Sequence, residues 1–141
     1  MPSAYILDES RSLLLSRAWG VFTDHDLLTH LTAFTRDPRF QPTFDQLADF
    51  RDVTSLAVTS AGVRYQVRES PFGAGSRRAL VVGSDVAFDM ARMFQILQDE
   101  SVADVEIFRD LDDALAWLGL TDAKAAVLTA LASAPTIAEG S

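Results

Sequence analysis

The stretch Asp49-Phe50-Arg51-Asp52-Val53-Thr54-Ser55-Leu56-Ala57-Val58-Thr59-Ser60-Ala61-Gly62-Val63 passes from one kind of patterning to another. On its N-terminal side, Phe44 to Phe50 alternates apolar and polar positions with Leu47 between more polar neighbours, the period-two signal of a strand. On its C-terminal side, Val63 and Val67 stand four apart, and Thr59 or Ser60 offers a hydroxyl to cap the free amides of a helix start. A helix is therefore expected from there to about Glu69. Strand, polar connection and helix make one βα unit.

The unit repeats outward in both directions. Toward the N-terminus, Tyr5–Asp8 and Ser12–Trp19 read as a hairpin turned at Glu9-Ser10-Arg11. Thr23-Asp24-His25-Asp26 then has the composition of a capping box, Leu27, Leu28, Leu31 and Phe34 recur at helical spacing, and Asp37-Pro38 stops the helix. Toward the C-terminus, Ser70 to Ser76 is a Pro- and Gly-punctuated loop, and Ala79-Leu80-Val81-Val82 is a short apolar run suited to a central strand. Ser84 and Asp85 open a helix whose stripe is expected at Val86, Met90, Met93 and Leu97. Val105 to Phe108 is the last expected strand, and Asp110 opens a helix with Leu111, Leu115 and Leu118 inward, ended by Gly119-Leu120. The order ββαβαβαβα predicts an α/β fold, an N-terminal β-hairpin followed by alternating β-α units, with a mostly parallel sheet covered by helices. The division expected is one domain over 1–120 and a C-terminal extension over 121–141, a short Ala-rich helix followed by a disordered end from Ser133.

The 141 residues suffice for one domain with a well-filled core, since 48% are hydrophobic and nine are Phe. Twenty acids against twelve bases leave a net charge of −8, which opposes adsorption to nucleic acid. Zero Cys excludes a disulfide framework, thiolate metal ligands and thiol catalysis. No basic segment followed by an apolar run marks a signal peptide, and no stretch approaches the about 18 apolar residues of a membrane span. A cytoplasmic location is expected.

The stretch Asp49 to Val63 resembles the anti-sigma factor antagonists and their wider STAS class, most closely the SpoIIAA-like (STAS/SEC14-type) group. In the antagonists a strand ends in Asp, a Val-Thr pair follows, and a helix begins at Asp-Ser-Ser-Gly; Asp49, Val53-Thr54 and Gly62 hold the corresponding places. Aligned without gaps, the motif's Asp becomes Ala57 and its phosphorylated Ser becomes Val58, leaving Thr59 and Ser60 as the nearby hydroxyls. The resemblance implies a fold of β-α units over about residues 4 to 120. It also implies binding and regulation in place of catalysis, through a partner protein or a second copy of the chain.

Several residues admit both a structural and a functional reading. Thr59 and Ser60 serve as helix caps or as regulatory hydroxyls, where a phosphate would meet the positive end of the helix dipole. Arg64, Arg68, Arg77 and Arg78 concentrate positive charge and form a candidate anion site; alternatively they pair with Glu69, Asp49 or Asp52, or face water. Gly73-Ala74-Gly75-Ser76 precedes a strand, so it is not a dinucleotide fingerprint. His25 and His30 lie roughly 140° apart around a helix and cannot share a metal as an i, i+4 pair would. Met90, Met93 and Phe94 belong to the core or line a groove for an apolar ligand. Phe88, Trp117, Leu128 and Leu131 fit the core stripes poorly and are the candidate surface of a homodimer. No catalytic set, metal site or cofactor motif is present in the pattern. The first expectation is a non-enzymatic regulatory or interaction module; the alternative is a carrier or sensor of a small anionic or lipid-like molecule held between the third helix and the Arg77 loop.

Overall fold

The computed structural model describes residues 2–97 and 103–137. Five strands, β1 (Ser3–Asp8), β2 (Leu13–Thr23), β3 (Asp45–Ala57), β4 (Ser76–Val82) and β5 (Ala103–Phe108), form one sheet in sequential order. β1 is antiparallel to β2, and the β2–β3, β3–β4 and β4–β5 pairs are parallel. Helices α1 (Asp24–Thr35), α2 (Ser60–Arg68) and α3 (Asp85–Leu97) each connect one parallel strand to the next. Because right-handed crossovers between strands laid down in one direction fall on one side, these three share a face of the sheet. α4 (Leu111–Trp117) and α5 (Lys124–Ser133) follow β5 and cover the opposite face.

Strand alternation divides the core between these faces. Leu13 and Leu15 of β2, Leu47 of β3, and Ala79 and Val81 of β4 pack against Leu111, Leu115 and Leu118 of α4 and Val127 and Leu131 of α5. Residues one position along each strand point the other way: Leu14, Ala48, Leu80 and Val82 join the apolar clusters under α1 and α3.

The predicted caps form. Thr23 accepts from the Asp26 amide while the Asp26 carboxylate accepts from the Thr23 amide, a complete capping box on α1. At the end of α4, Gly119 has φ 74, and the amides of Gly119 and Leu120 reach back to the carbonyls of Ala116 and Leu115. That pair of bonds is a Schellman motif, which favours glycine because the left-handed backbone there is strained for a residue with a Cβ.

Three expectations need correction. β3 does not stop at Phe50 but runs to Ala57. Against β2 it carries two irregularities: Arg17 and Trp19 pair with Asp49 and Asp52, and Gly20 and Val21 pair with Val53 and Ser55, so β3 holds one extra residue at each. Each bulge reverses the strand's parity, which hides it from a period-two reading. The inward face of α3 is Ala87 and Ala91, with Val86 65% exposed and Leu97 40% exposed. Two alanines let the helix backbone approach the sheet; of the expected stripe Met90 and Met93 pack inward, while Val86 and Leu97 at its two ends do not. Finally, the segment beyond Leu120 is not a separate extension: Val127 and Leu131 lie in the core, Thr136 forms a β-bridge with Ala4, and the Ile137 amide donates to the Ser3 carbonyl at 3.0 Å. The expected disordered end is thus ordered as far as Ile137, and its last residues lie outside the described ones.

Candidate functional site

The face under α1–α3 carries a connected row of buried polar side chains, whereas the buried Asp49 of the opposite face is ion-paired to Arg51. Ser16 on β2, Gln46 on β3 and Arg78 on β4 project from this face, and Gln46 and Arg78 are register partners in the parallel ladder. His30 comes down from α1 with its Nε2 2.8 Å from Ser16 Oγ. Gln46 Nε2 donates to Ser16 Oγ at 3.1 Å, and Arg78 Nε donates to Gln46 Oε1 at 2.9 Å. The guanidinium lies over two rings, 4.2 Å from the Phe72 centroid and 5.1 Å from that of Phe94. All four polar residues are at most 8% exposed.

These groups stand at one end of a cavity of about 90 Å³ between the sheet and the three helices. From the row onward its wall is mostly apolar, with Phe22, Phe50 and Leu56 from the sheet, Val63 from α2, and Met90 and Phe94 from α3; the polar exception is Gln66 of α2, whose Nε2 donates to the Leu27 carbonyl at 3.4 Å. The two bulges of β3 keep Phe50, Val53 and Leu56 all on this wall, although their spacing breaks strict alternation. A polar end with an apolar body is the usual construction of a small-molecule pocket.

The electrostatics follow from burial. Loss of hydration pushes the Arg78 guanidinium down to about 9, which still leaves it charged at neutral pH. The His30 imidazole is pushed down to about 4, first by burial and second by the Arg78 charge, so it is neutral at pH 7. Its Nδ1 is buried with no hydrogen-bond partner among the described residues. Those residues also include no group of three or more His, Asp or Glu placed to hold a metal ion.

The sequence candidates are distributed otherwise than expected. Arg64 is exposed on α2, and Arg68 pairs with Glu69 at 3.4 Å. Arg77 and Arg78 are neighbours on a strand and therefore point to opposite faces. Arg77 donates to the carbonyls of Trp117 and Leu118, at 2.6 and 3.2 Å, and caps the C-terminal end of α4. The four arginines do not form one anion site; only Arg78 enters the cavity. Thr59 is a cap: its hydroxyl accepts from the Gly62 amide at 3.1 Å and donates to Asp24 Oδ2 at 2.6 Å, and its amide donates to Asp24 Oδ1 at 2.9 Å. Asp24 at the start of α1 thus ties down the start of α2, and Gly62 leaves the space that the carboxylate occupies. Ser60 is exposed beside this clamp.

Of the four candidate interface residues, Leu131 is buried at 3% exposure, Trp117 packs on Phe108 with Arg77 over its ring, and Phe88 is half-buried under Arg109. They lie within the fold, and Leu128 alone among them remains exposed. Met90 and Phe94 line the cavity, while Met93 packs beside it. Ser16, His30 and Gln46 were missed as site residues. The available signal is that polar residues occupy inward positions of otherwise apolar strands, and that Arg78 stands two positions before Leu80.

This arrangement defines an α/β domain of SpoIIAA-like fold with a partly open cavity on one side of its sheet. The chain is similar to the crystal structure of an uncharacterised protein of the DUF3478 family with a SpoIIAA-like fold from Shewanella loihica, with 20% identity and a TM-score of 0.56 over 82% of this chain and 93% of the other. At that identity the likeness is one of fold. No family model and no curated protein matches the sequence. Among the described residues, no helix is long and apolar enough to cross a membrane.

Proposed function

We propose that this chain is a non-enzymatic, STAS-like regulatory module whose input is a small, mostly apolar ligand bound between the sheet and α1–α3. The observation that carries this reading is the cavity of about 90 Å³, mostly apolar along its length and with its charged group at one end. Close packing is the rule in protein interiors, and benzene occupies a dry cavity of about 150 Å³, so a space of about 90 Å³ suits a guest no larger than benzene. A ligand here touches three helices at once, which links occupancy to the outer surface of α2 and α3. In this reading occupancy alters how those helices meet a partner protein, and no bond in the ligand is made or broken.

Native mass spectrometry of the purified chain tests it, together with binding of a polarity-sensitive dye. A retained small molecule, or saturable dye binding that is lost in Ala91→Phe, is the expected result, because Ala91 lines the cavity. No retained mass, with equal dye binding by the two proteins, overturns it. Circular dichroism of the variant confirms that the filled protein is folded.

Self-association is a second reading, favoured by α3, where Val86 and Ile96 are 65% and 73% exposed. Light scattering is expected to show a dimer that Ile96→Asp converts to a monomer. A wild-type monomer at high concentration removes this reading.

A further inference from the structure

We propose, resting on the cavity reading, that the ligand is an aliphatic monocarboxylate whose head sits on Arg78 and whose chain runs along β3 toward Leu56. The first argument is a contrast among the arginines. Arg11, Arg39, Arg51, Arg68, Arg77 and Arg109 each have a carboxylate within 4.0 Å, and Arg17, Arg36, Arg64 and Arg92, which have none among the described residues, are at least partly exposed to water. Arg78 is 8% exposed, and no carboxylate among the described residues lies within ion-pair distance of it. A buried charge is costly without a counterion, and two aromatic faces and one amide oxygen compensate a guanidinium only in part.

The second argument is the shape of what remains to bind. Nε is occupied by Gln46 Oε1. The two Nη groups are left, and together they present the end-on fork that matches the two oxygens of a carboxylate. Ser16, Gln46 and His30 are neutral at pH 7, so the site supplies one positive charge. A carboxylate balances it, whereas a phosphate dianion would leave a net negative charge buried.

The third argument fixes the body of the ligand. Gln46, Ala48, Phe50, Val53 and Leu56 line the cavity in succession along β3, so the space extends in the strand direction away from Arg78. An unbranched chain follows such a wall with one end anchored.

Calorimetric titration of the intact chain with butanoate, butanamide, 1-butanol and propylphosphonate tests the assignment. Butanoate is expected to bind at least tenfold more tightly than the other three, and Arg78→Gln is expected to abolish that preference while leaving butanamide affinity within about twofold. Equal binding of butanoate and butanamide by wild type, or tighter binding of the phosphonate, overturns the carboxylate assignment and leaves the cavity reading standing. Binding of none of the four, with no dye binding either, overturns both. If Arg78→Gln does not fold, the wild-type comparison decides alone.

Discussion

The two faces of this sheet are made by the same strands and differ by one residue in register, yet they are built for different ends. Under α4 and α5, the alternating set Leu13, Leu15, Leu47, Ala79 and Val81 meets apolar side chains, and the buried Asp49 beside them is ion-paired to Arg51 at 2.9 Å. Under α1–α3, the complementary set includes Ser16, Gln46 and Arg78 and lines a partly open cavity. The first face holds the fold together. The second keeps space and an uncompensated charge, features that stability alone does not favour, and function is to be sought there.

The comparison breaks most visibly if the packed face proves dispensable. Leu115→Ala, at a site 1% exposed, is expected to cost about 3–4 kcal/mol in chemical denaturation while leaving ligand affinity unchanged. On the other face, His30 makes stability depend on pH. Its imidazole titrates near 6.5 in the unfolded chain and at about 4 in the folded one, so the unfolded chain takes up a proton first. Stability is then full above about pH 6.5 and falls as pH drops toward 4, by at most about 3 kcal/mol. The difference between wild type and His30→Gln, measured by denaturation across pH 4 to 7, isolates that slope, and its absence would mean that His30 is not held neutral.

A smaller effect concerns the clamp at the helix starts. A Cβ at Gly62 would overlap Asp24 Oδ1, so Gly62→Ala displaces the carboxylate from Thr59 and is expected to cost about 1–2 kcal/mol in thermal denaturation. The smallest change is expected of Arg64→Ala, which removes an exposed charge outside the cavity. Stability should move by less than about 0.5 kcal/mol and ligand affinity not at all, as calorimetry will show.

The fold was legible where local chemistry acts alone. Thr23 with Asp26, Ser84 before α3, and Gly119 after α4 mark boundaries through hydrogen bonds that a few adjacent residues make among themselves. The second half of β3 was not, because Arg51 to Ala57 is polar and its two bulges depend on pairing with β2. The stripe of α3 is legible only in part, since Met90 and Met93 do face inward but Ala87 and Ala91 make the closest approach to the sheet and Val86 and Leu97 face outward. The cavity was half legible. Arg78 and Phe94 stood out, but Ser16, His30 and Gln46 gain their meaning only when three strands and a helix bring them together.

The bridge from Thr136 to Ala4 has a consequence for the life of the protein in concentrated solution. An open sheet offers two margins at which a second molecule can add a strand, the first step of ordered aggregation. Here the start of the β1 margin, at Ser3 and Ala4, is covered by the chain's own Thr136 and Ile137, while β5 carries exposed Asp104 and Glu106, whose carboxylates repel another acidic molecule. Trimming the C-terminal residues would uncover the β1 margin, and the protein would then rely on its overall negative charge to keep its copies apart.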